Sequence, residues 1–176
     1  SALVEATIHE IGERGSLDVT VSQIAKRAGM SRALAHHYFG SKEHMFTAAM
    51  RHILSLYGAE VRGALVMAKT PRDRIEAIIR ASFSPRQIRP ETVSAWLNFY
   101  EQAQPSKDAQ RLINIYHNEK RKRRLRIGVG AVLARGLSAM IDGLYLRQAL
   151  AETPLAGDEA IAVLMSYLDR ALTHRA

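Results

Sequence analysis

Residues 20–39 read Thr-Val-Ser-Gln-Ile-Ala-Lys-Arg-Ala-Gly-Met-Ser-Arg-Ala-Leu-Ala-His-His-Tyr-Phe, and this stretch decides the fold. Thr20 is a good N-cap for a first short helix with Ile24, Ala25 and Ala28 on one face, and Gly29 supplies the permissive backbone of a sharp turn. Ser31 caps a second helix of about two turns, from Arg32 to Phe39. At 100° per residue that helix turns Ala35, Tyr38 and Phe39 inward and leaves Ala33, His36 and His37 outside. The pattern predicts a helix-turn-helix whose second helix is free to enter a major groove.

Small residues serve two purposes here. Ala25, Ala28 and Ala35 let two short helices cross closely, whereas Ala33 and Leu34 on the outer surface offer apolar contact suited to a thymine methyl. The following residues, Gly40-Ser41-Lys42-Glu43, end the second helix and cap a third. They place Lys42 at a helix N-terminus, where its charge and the free amides both suit a phosphate.

The run I-A-x-x-A-G-M-S-R-A-L-A-H-H-Y-F-G-S-K-E resembles the DNA-binding signature of the TetR family of transcriptional regulators. Ile24, Ala25, Ala28, Gly29, Ser31, Tyr38, Phe39 and Lys42 agree in spacing at once. Ala33 stands where the family often has Gly, and His36 where it usually has a phosphate-contacting Tyr. The resemblance implies that Thr20, Ser31, Tyr38 and Lys42 hold phosphates of double-stranded DNA. Ala33, Leu34, His36 and His37 then face base edges, with Arg32 able to serve either role.

Outward from this unit the pattern stays helical, so the fold class is all-α. Residues 3–14 carry Val4, Thr7, Ile8 and Ile11 at i, i+3, i+4, i+7 spacing, and Gly15 closes that helix. A helix from Ser41 to about Met67 spans roughly 40 Å, long enough to act as a lever. Thr70-Pro71-Arg72-Asp73 is a capped start with proline in the first turn. Further helices begin at Pro90 and after Ser106, run from Val129 to Ala151, and close the chain from Asp158 to Thr173. No alternation persists over a strand-length window. The division expected is a helix-turn-helix domain over 1–43 and a helical effector and dimerisation domain over 44–176.

Composition narrows the function classes. Lys and Arg number 25 against 17 Asp and Glu, a formal charge of +8 that favours a polyanionic partner. There is no cysteine, which excludes disulfides and thiolate zinc sites and fits a cytoplasmic protein. The longest apolar run, Ile127–Ala134, has eight residues, too short to span a bilayer, so no membrane partner is expected. His36 and His37 are adjacent and point about 100° apart, while His44 and His52 are two turns apart, so no metal or cofactor is expected. No paired-carboxylate motif or Gly-rich phosphate loop supports catalysis, which leaves an α-helical enzyme as a distant alternative. A sequence-blind architectural DNA binder would explain the charge but not the large helical domain. The basic run Lys120–Arg124 lacks interleaved aromatics and reads first as a solvated helix end, second as a nucleic-acid grip.

The segments 91–103 and 136–147 resemble the C-terminal domain of BetI-type repressors, which control glycine betaine synthesis genes and answer to choline. That resemblance implies a longer connection before Val129 than this sequence has, and residues missing near 125–128. It also implies a short basic arm ahead of the first helix. A quaternary ammonium is best held by aromatic faces and a carboxylate. Trp96 and Tyr100 share one helix face, and Asp142 and Tyr145 lie one turn apart on another. These four are the candidate effector box; the alternative is that they belong to the core. The apolar faces of the last two helices, with Leu133, Leu137, Met140, Ile141, Leu144 and Tyr145 on one and Ile161, Leu164, Met165 and Leu168 on the other, exceed what one core needs. In the TetR family such helices form the homodimer interface, the alternative being burial within one chain. The function expected is a dimeric repressor whose recognition helices enter successive major grooves of a palindromic operator, released by an effector such as choline. A broad-specificity repressor of efflux genes that senses cationic compounds is the second reading.

Overall fold

The structure is a computed structural model; it describes residues 2–15, 18–125, 130–151 and 156–173, with the side chains of 118–125 and 149 outside that description. The basic run Lys120–Arg124 and the junction near 125–128 therefore lie outside the described side chains. Among the described residues the chain forms nine α-helices and no strand: α1 (Ala2–Arg14), α2 (Val21–Arg27), α3 (Arg32–Phe39), α4 (Lys42–Val66), α5 (Pro71–Ser82), α6 (Pro90–Gln102), α7 (Lys107–Leu125), α8 (Ala131–Leu150) and α9 (Gly157–Thr173). None is long and apolar enough to cross a membrane.

Local chemistry sets most of the boundaries. The Thr20 Oγ1 accepts the Gln23 amide at 3.3 Å while the Gln23 side chain accepts the Thr20 amide at 2.8 Å, a capping box that starts α2. Thr70 and Asp73 repeat that arrangement at α5, with Pro71 at the first helical position. Ser106 Oγ accepts the Ala109 amide at 3.3 Å at the start of α7. Gly15, Gly29 and Gly40 follow α1, α2 and α3 with φ of 63°, 68° and 70°. Only glycine takes that left-handed backbone without strain.

The helices group into two compact units. The first takes Ser1–Leu56 with Arg89–Asn114, so α6 joins the N-terminal helices and packs on α1. Its interior holds Leu3, Ile8 and Ile11 of α1, Ile24 and Ala25 of α2, Met45, Phe46 and Ala49 of α4, and Val93, Trp96 and Phe99 of α6. The approach is close at Gly12, where an added Cβ would lie 2.5 Å from the Glu91 Cβ. Arg27 on α2 donates to Glu10 at 2.6 Å and to Glu13, both on α1.

The second unit takes Tyr57–Ile88 with Ile115–Ala176. Its core runs through Val61, Ile75, Ile78, Ile79 and Phe83, and continues through Leu133, Leu137, Ile141, Ile161, Leu164 and Leu168. Each such side chain contributes about 1.5–3 kcal/mol by leaving water. The inner faces of α8 and α9 are thus used within the unit. Val132, Leu146, Leu150, Val163 and Tyr167 of the same two helices remain exposed.

Candidate nucleic-acid interface and effector residues

α3 is a short helix almost without an inside. Ala35 is its buried residue, while Arg32, Ala33, His36 and His37 are exposed, and Leu34 and Tyr38 are 42% and 65% exposed. Exposure of Tyr38 corrects the expectation that it packs inward. Position 38 stands 60° around the helix from Ala35, and a ring that large cannot follow a methyl group into the gap. It lies edge-on to the His37 ring instead, with centroids 6.0 Å apart.

Both ends of α3 are pinned by side chains. Ser31 Oγ accepts the Leu34 amide at 3.1 Å. Beyond the C-terminus, His36 Nδ1 lies 3.2 Å from the Gly40 carbonyl and His44 Nδ1 lies 3.1 Å from the Phe39 carbonyl. A carbonyl only accepts, so in both rings Nδ1 carries the proton. Ser41 Oγ accepts the His44 amide at 3.2 Å and starts α4. Lys42 is half-buried with its ammonium 5.5 Å from the centre of the Phe46 ring, which fixes its stem beside the first turn of α4. The Thr20 hydroxyl is already engaged by Gln23, to which it donates at 2.9 Å.

Two of the four effector candidates fall in each unit. Trp96 is buried in the first, stacked on the exposed edge residue Tyr100 at a centroid distance of 5.8 Å and 28° between planes. Asp142 and Tyr145 are half-buried in the second. The Tyr145 hydroxyl donates to the Gln87 carbonyl, and its ring lies 5.7 Å from Phe83. Burial pushes the Tyr145 hydroxyl well above the ordinary tyrosine pKa, and the fields of Tyr57 and Glu60 add to the shift.

Sequence reading missed the polar groups that surround Tyr145. Gln87 is buried and donates to the Glu60 carboxylate at 3.3 Å. Ser82 Oγ donates to the Ile78 carbonyl at 2.8 Å, so at 3.0 Å the Tyr57 hydroxyl is the donor to Ser82. Tyr57 also meets Tyr116 edge-on at 6.0 Å. Among the described residues no group of three or more His, Asp or Glu is placed to hold a metal ion.

Comparison with known proteins decides the family. Residues 3–49 match the family described as bacterial regulatory proteins of the tetR family, and residues 71–173 match the BetI-type transcriptional repressor C-terminal domain. The chain belongs to the TetR family. Its C-terminal domain is of the BetI type, as the sequence resemblance implied. The HTH-type transcriptional regulator BetI of Rhizobium meliloti is 44% identical over 96% of this chain and 86% of its own length. The BetI regulator of Brucella anthropi is 47% identical over 94% of this chain and 89% of its own. Among solved structures, a TetR transcription regulator from Haloarcula marismortui superposes with a TM-score of 0.85 at 20% identity, covering 96% of this chain and 95% of that one. A transcriptional regulator from Saccharomonospora viridis in complex with choline gives 0.82 at 23% identity, covering 96% and 94%.

This TetR-family protein is therefore a helix-turn-helix transcriptional regulator of the repressor class, and its helical C-terminal region is that of a regulator, not an enzyme. The exposed, capped α3 lies within residues 3–49, which match the family.

Proposed function

We propose that the protein is a homodimeric repressor that holds a palindromic operator through two copies of α3 and leaves it when choline binds the region from 44 to 176. The observation that carries this reading is the face of α3. Of its eight residues Ala35 is buried and Phe39 half-buried, while Ala33, Leu34, His36 and His37 are exposed on a helix pinned at both ends, a shape suited to a groove. Ser31, Tyr38 and Lys42 flank it as phosphate partners, with Thr20 contributing through its helix start and Arg32 reaching either phosphate or base. Pairing is supported by α8, where Val132, Gly136, Ala139, Gly143, Leu146 and Leu150 recur every four and three residues along one edge. Small residues in such a row admit a second helix closely, and the exposed Val163 and Tyr167 of α9 widen the patch.

Choline as effector is supported by relatives named for BetI and by the choline complex of a regulator with the same fold. Trp96 and Tyr100 in the first unit, and Tyr145 with the Asp142 carboxylate in the second, each supply groups of the right chemistry. Binding shifts the long α4 and with it the spacing of the two α3 helices.

Fluorescence anisotropy with the protein's own upstream DNA, at fixed salt with and without millimolar choline, tests the reading. Loss of affinity with choline is expected; tight binding that ignores choline but yields to a bulky aromatic cation would favour a broad-specificity cation sensor. Lys42→Ala should weaken binding to all sequences alike and lower the salt slope by about one. His37→Ala should change which operators are preferred, a loss of about 1–3 kcal/mol at the affected base pair.

A further inference from the structure

We infer that His44 is a positioning residue for DNA recognition: its ring, carried on the first turn of α4, holds the last carbonyl of α3 and so sets the angle at which α3 meets the groove. This rests on the reading above that α3 enters DNA, and it gives a role to a residue outside the sequence candidates.

α3 needs such a hold. With Ala35 buried and Phe39 half-buried among eight residues, packing does little to fix the tilt of so short a helix. The restraint lies in the turn that follows. There the Phe39 carbonyl accepts two donors, the Ser41 amide at 2.7 Å and His44 Nδ1 at 3.1 Å, which uses both of its lone pairs. The Gly40 amide donates to the His36 carbonyl at 2.7 Å, and the Gly40 carbonyl receives His36 Nδ1 at 3.2 Å.

Residue 44 is itself held through both main chain and side chain. Its amide donates to Ser41 Oγ at 3.2 Å, and its Nδ1 lies 3.8 Å from where a Cβ on Gly40 would stand, so the ring rests on the open side of that glycine. The His36 bond stays at the end of its own helix, whereas the His44 bond reaches back five residues from α4 to α3. His44 thus ties one helix to the next.

What the tie sets is the spacing between two kinds of contact. Lys42, the proposed phosphate partner, opens α4 two residues before His44, while Ala33, Leu34 and His37 present their side chains from α3. Phosphate contacts fix register and base contacts read sequence, so the two sets have to be held in one frame. Supporting hydrogen bonds of this kind hold functional side chains to within about 0.5 Å. Released from Phe39, α3 keeps its side chains but loses their fixed relation to Lys42. The loss then falls on sequence-specific binding and spares the non-specific attraction between a basic surface and DNA.

The test is fluorescence anisotropy of the full chain with two duplexes, the protein's own upstream DNA and a scrambled duplex of the same length, over a series of salt concentrations. Circular dichroism checks that each variant is fully folded under those conditions, so that a loss of affinity is not a loss of folded protein. Wild type is expected to prefer the upstream duplex. His44→Ala should bind that duplex about tenfold more weakly, with its affinity for the scrambled duplex and the salt slope of that binding unchanged. His44→Asn should restore most of the preference, because its amide nitrogen is a donor two bonds from Cβ, as Nδ1 is. Should His44→Ala fail to fold, His44→Leu keeps bulk over Gly40 without the donor and should show the same split between duplexes. Equal losses on both duplexes, with a salt slope lower by about one, would make His44 a phosphate contact and overturn the positioning role. Undiminished preference in His44→Ala, or His44→Asn as weak as His44→Ala, would overturn it too and leave the reading of α3 intact. Wild type that does not distinguish the two duplexes would overturn the operator reading and the role of His44 together.

Discussion

α3 and α9 are held in place by opposite means. α3 has eight residues and buries Ala35; α9 has seventeen and buries Ala160, Ile161, Leu164 and Leu168. α3 is specified by punctuation at its ends: Ser31 before it, the His44 ring on the Phe39 carbonyl, the His36 ring on the Gly40 carbonyl, and Gly40 in the left-handed conformation after it. The core helix is specified by an apolar stripe at i, i+3, i+4, i+7, with the Glu159 carboxylate accepting the Ala156 amide at 3.2 Å at its start. A helix that must offer its side chains to a groove cannot use them for packing. Its stability has to come from its ends and from neighbours.

That contrast predicts where mutation hurts most. Leu164 is fully buried, so Leu164→Ala removes three carbons from the tightest part of the second core and should cost about 2–5 kcal/mol, read as a fall in the urea midpoint. Comparable loss from any truncation on the outer face of α3 would erase the distinction drawn here. Next comes Gly12→Ala. Its Cβ would meet the Cβ, Cγ and Cα of Glu91 at 2.5, 2.5 and 2.6 Å, so α1 and α6 must part, and the overpacking should cost about 1–3 kcal/mol despite the better helix propensity of alanine. Unchanged stability would mean that α6 yields without resistance.

The same contrast explains what could be read from the chain alone. Caps and left-handed glycines are local chemistry, so Thr20, Gly29, Ser31 and Thr70-Pro71 revealed their helices directly. Core stripes are local periodicity, and Leu133, Leu137, Ile161 and Leu164 fell where the spacing placed them. Tyr38 was misassigned because angular position on so short a helix says too little about whether a large ring has anything to enter. The surroundings of Tyr145 were not legible at all. Glu60, Gln87 and Tyr145 come from α4, the segment after α5, and α8, and no pattern within any one of these segments announces their meeting. Trp96 and Tyr100 were legible as a pair because i, i+4 neighbours touch by helix geometry.

A smaller effect should follow from the caps. Ser31→Ala deletes the hydroxyl that accepts the Leu34 amide and should cost about 1 kcal/mol of stability. It should weaken DNA binding by more than that stability loss explains, since Ser31 is also a proposed phosphate partner. Equal stability of the variant and wild type in urea would show that the first turn of α3 needs no cap.

The smallest effect separates two capping boxes of the same design. At α2 the reciprocal acceptor is Gln23, which has no titratable group; at α5 it is Asp73, whose carboxylate accepts the Thr70 amide and is drawn below the ordinary Asp range chiefly by that bond. A folded-state value below the unfolded one, about 3.9, means that the ionised form is favoured by the fold. The stabilisation is therefore fully present above that value and disappears as pH falls through the lower folded value. Thr70→Ala and Thr20→Ala should both lower the urea midpoint at neutral pH. As the solution is acidified below about pH 4 the penalty of Thr70→Ala should shrink, because protonated Asp73 no longer accepts well, whereas the penalty of Thr20→Ala should hold. Parallel behaviour of the two variants through the acid range would show that the Asp73 carboxylate adds nothing to its box beyond what the neutral Gln23 amide gives to the other.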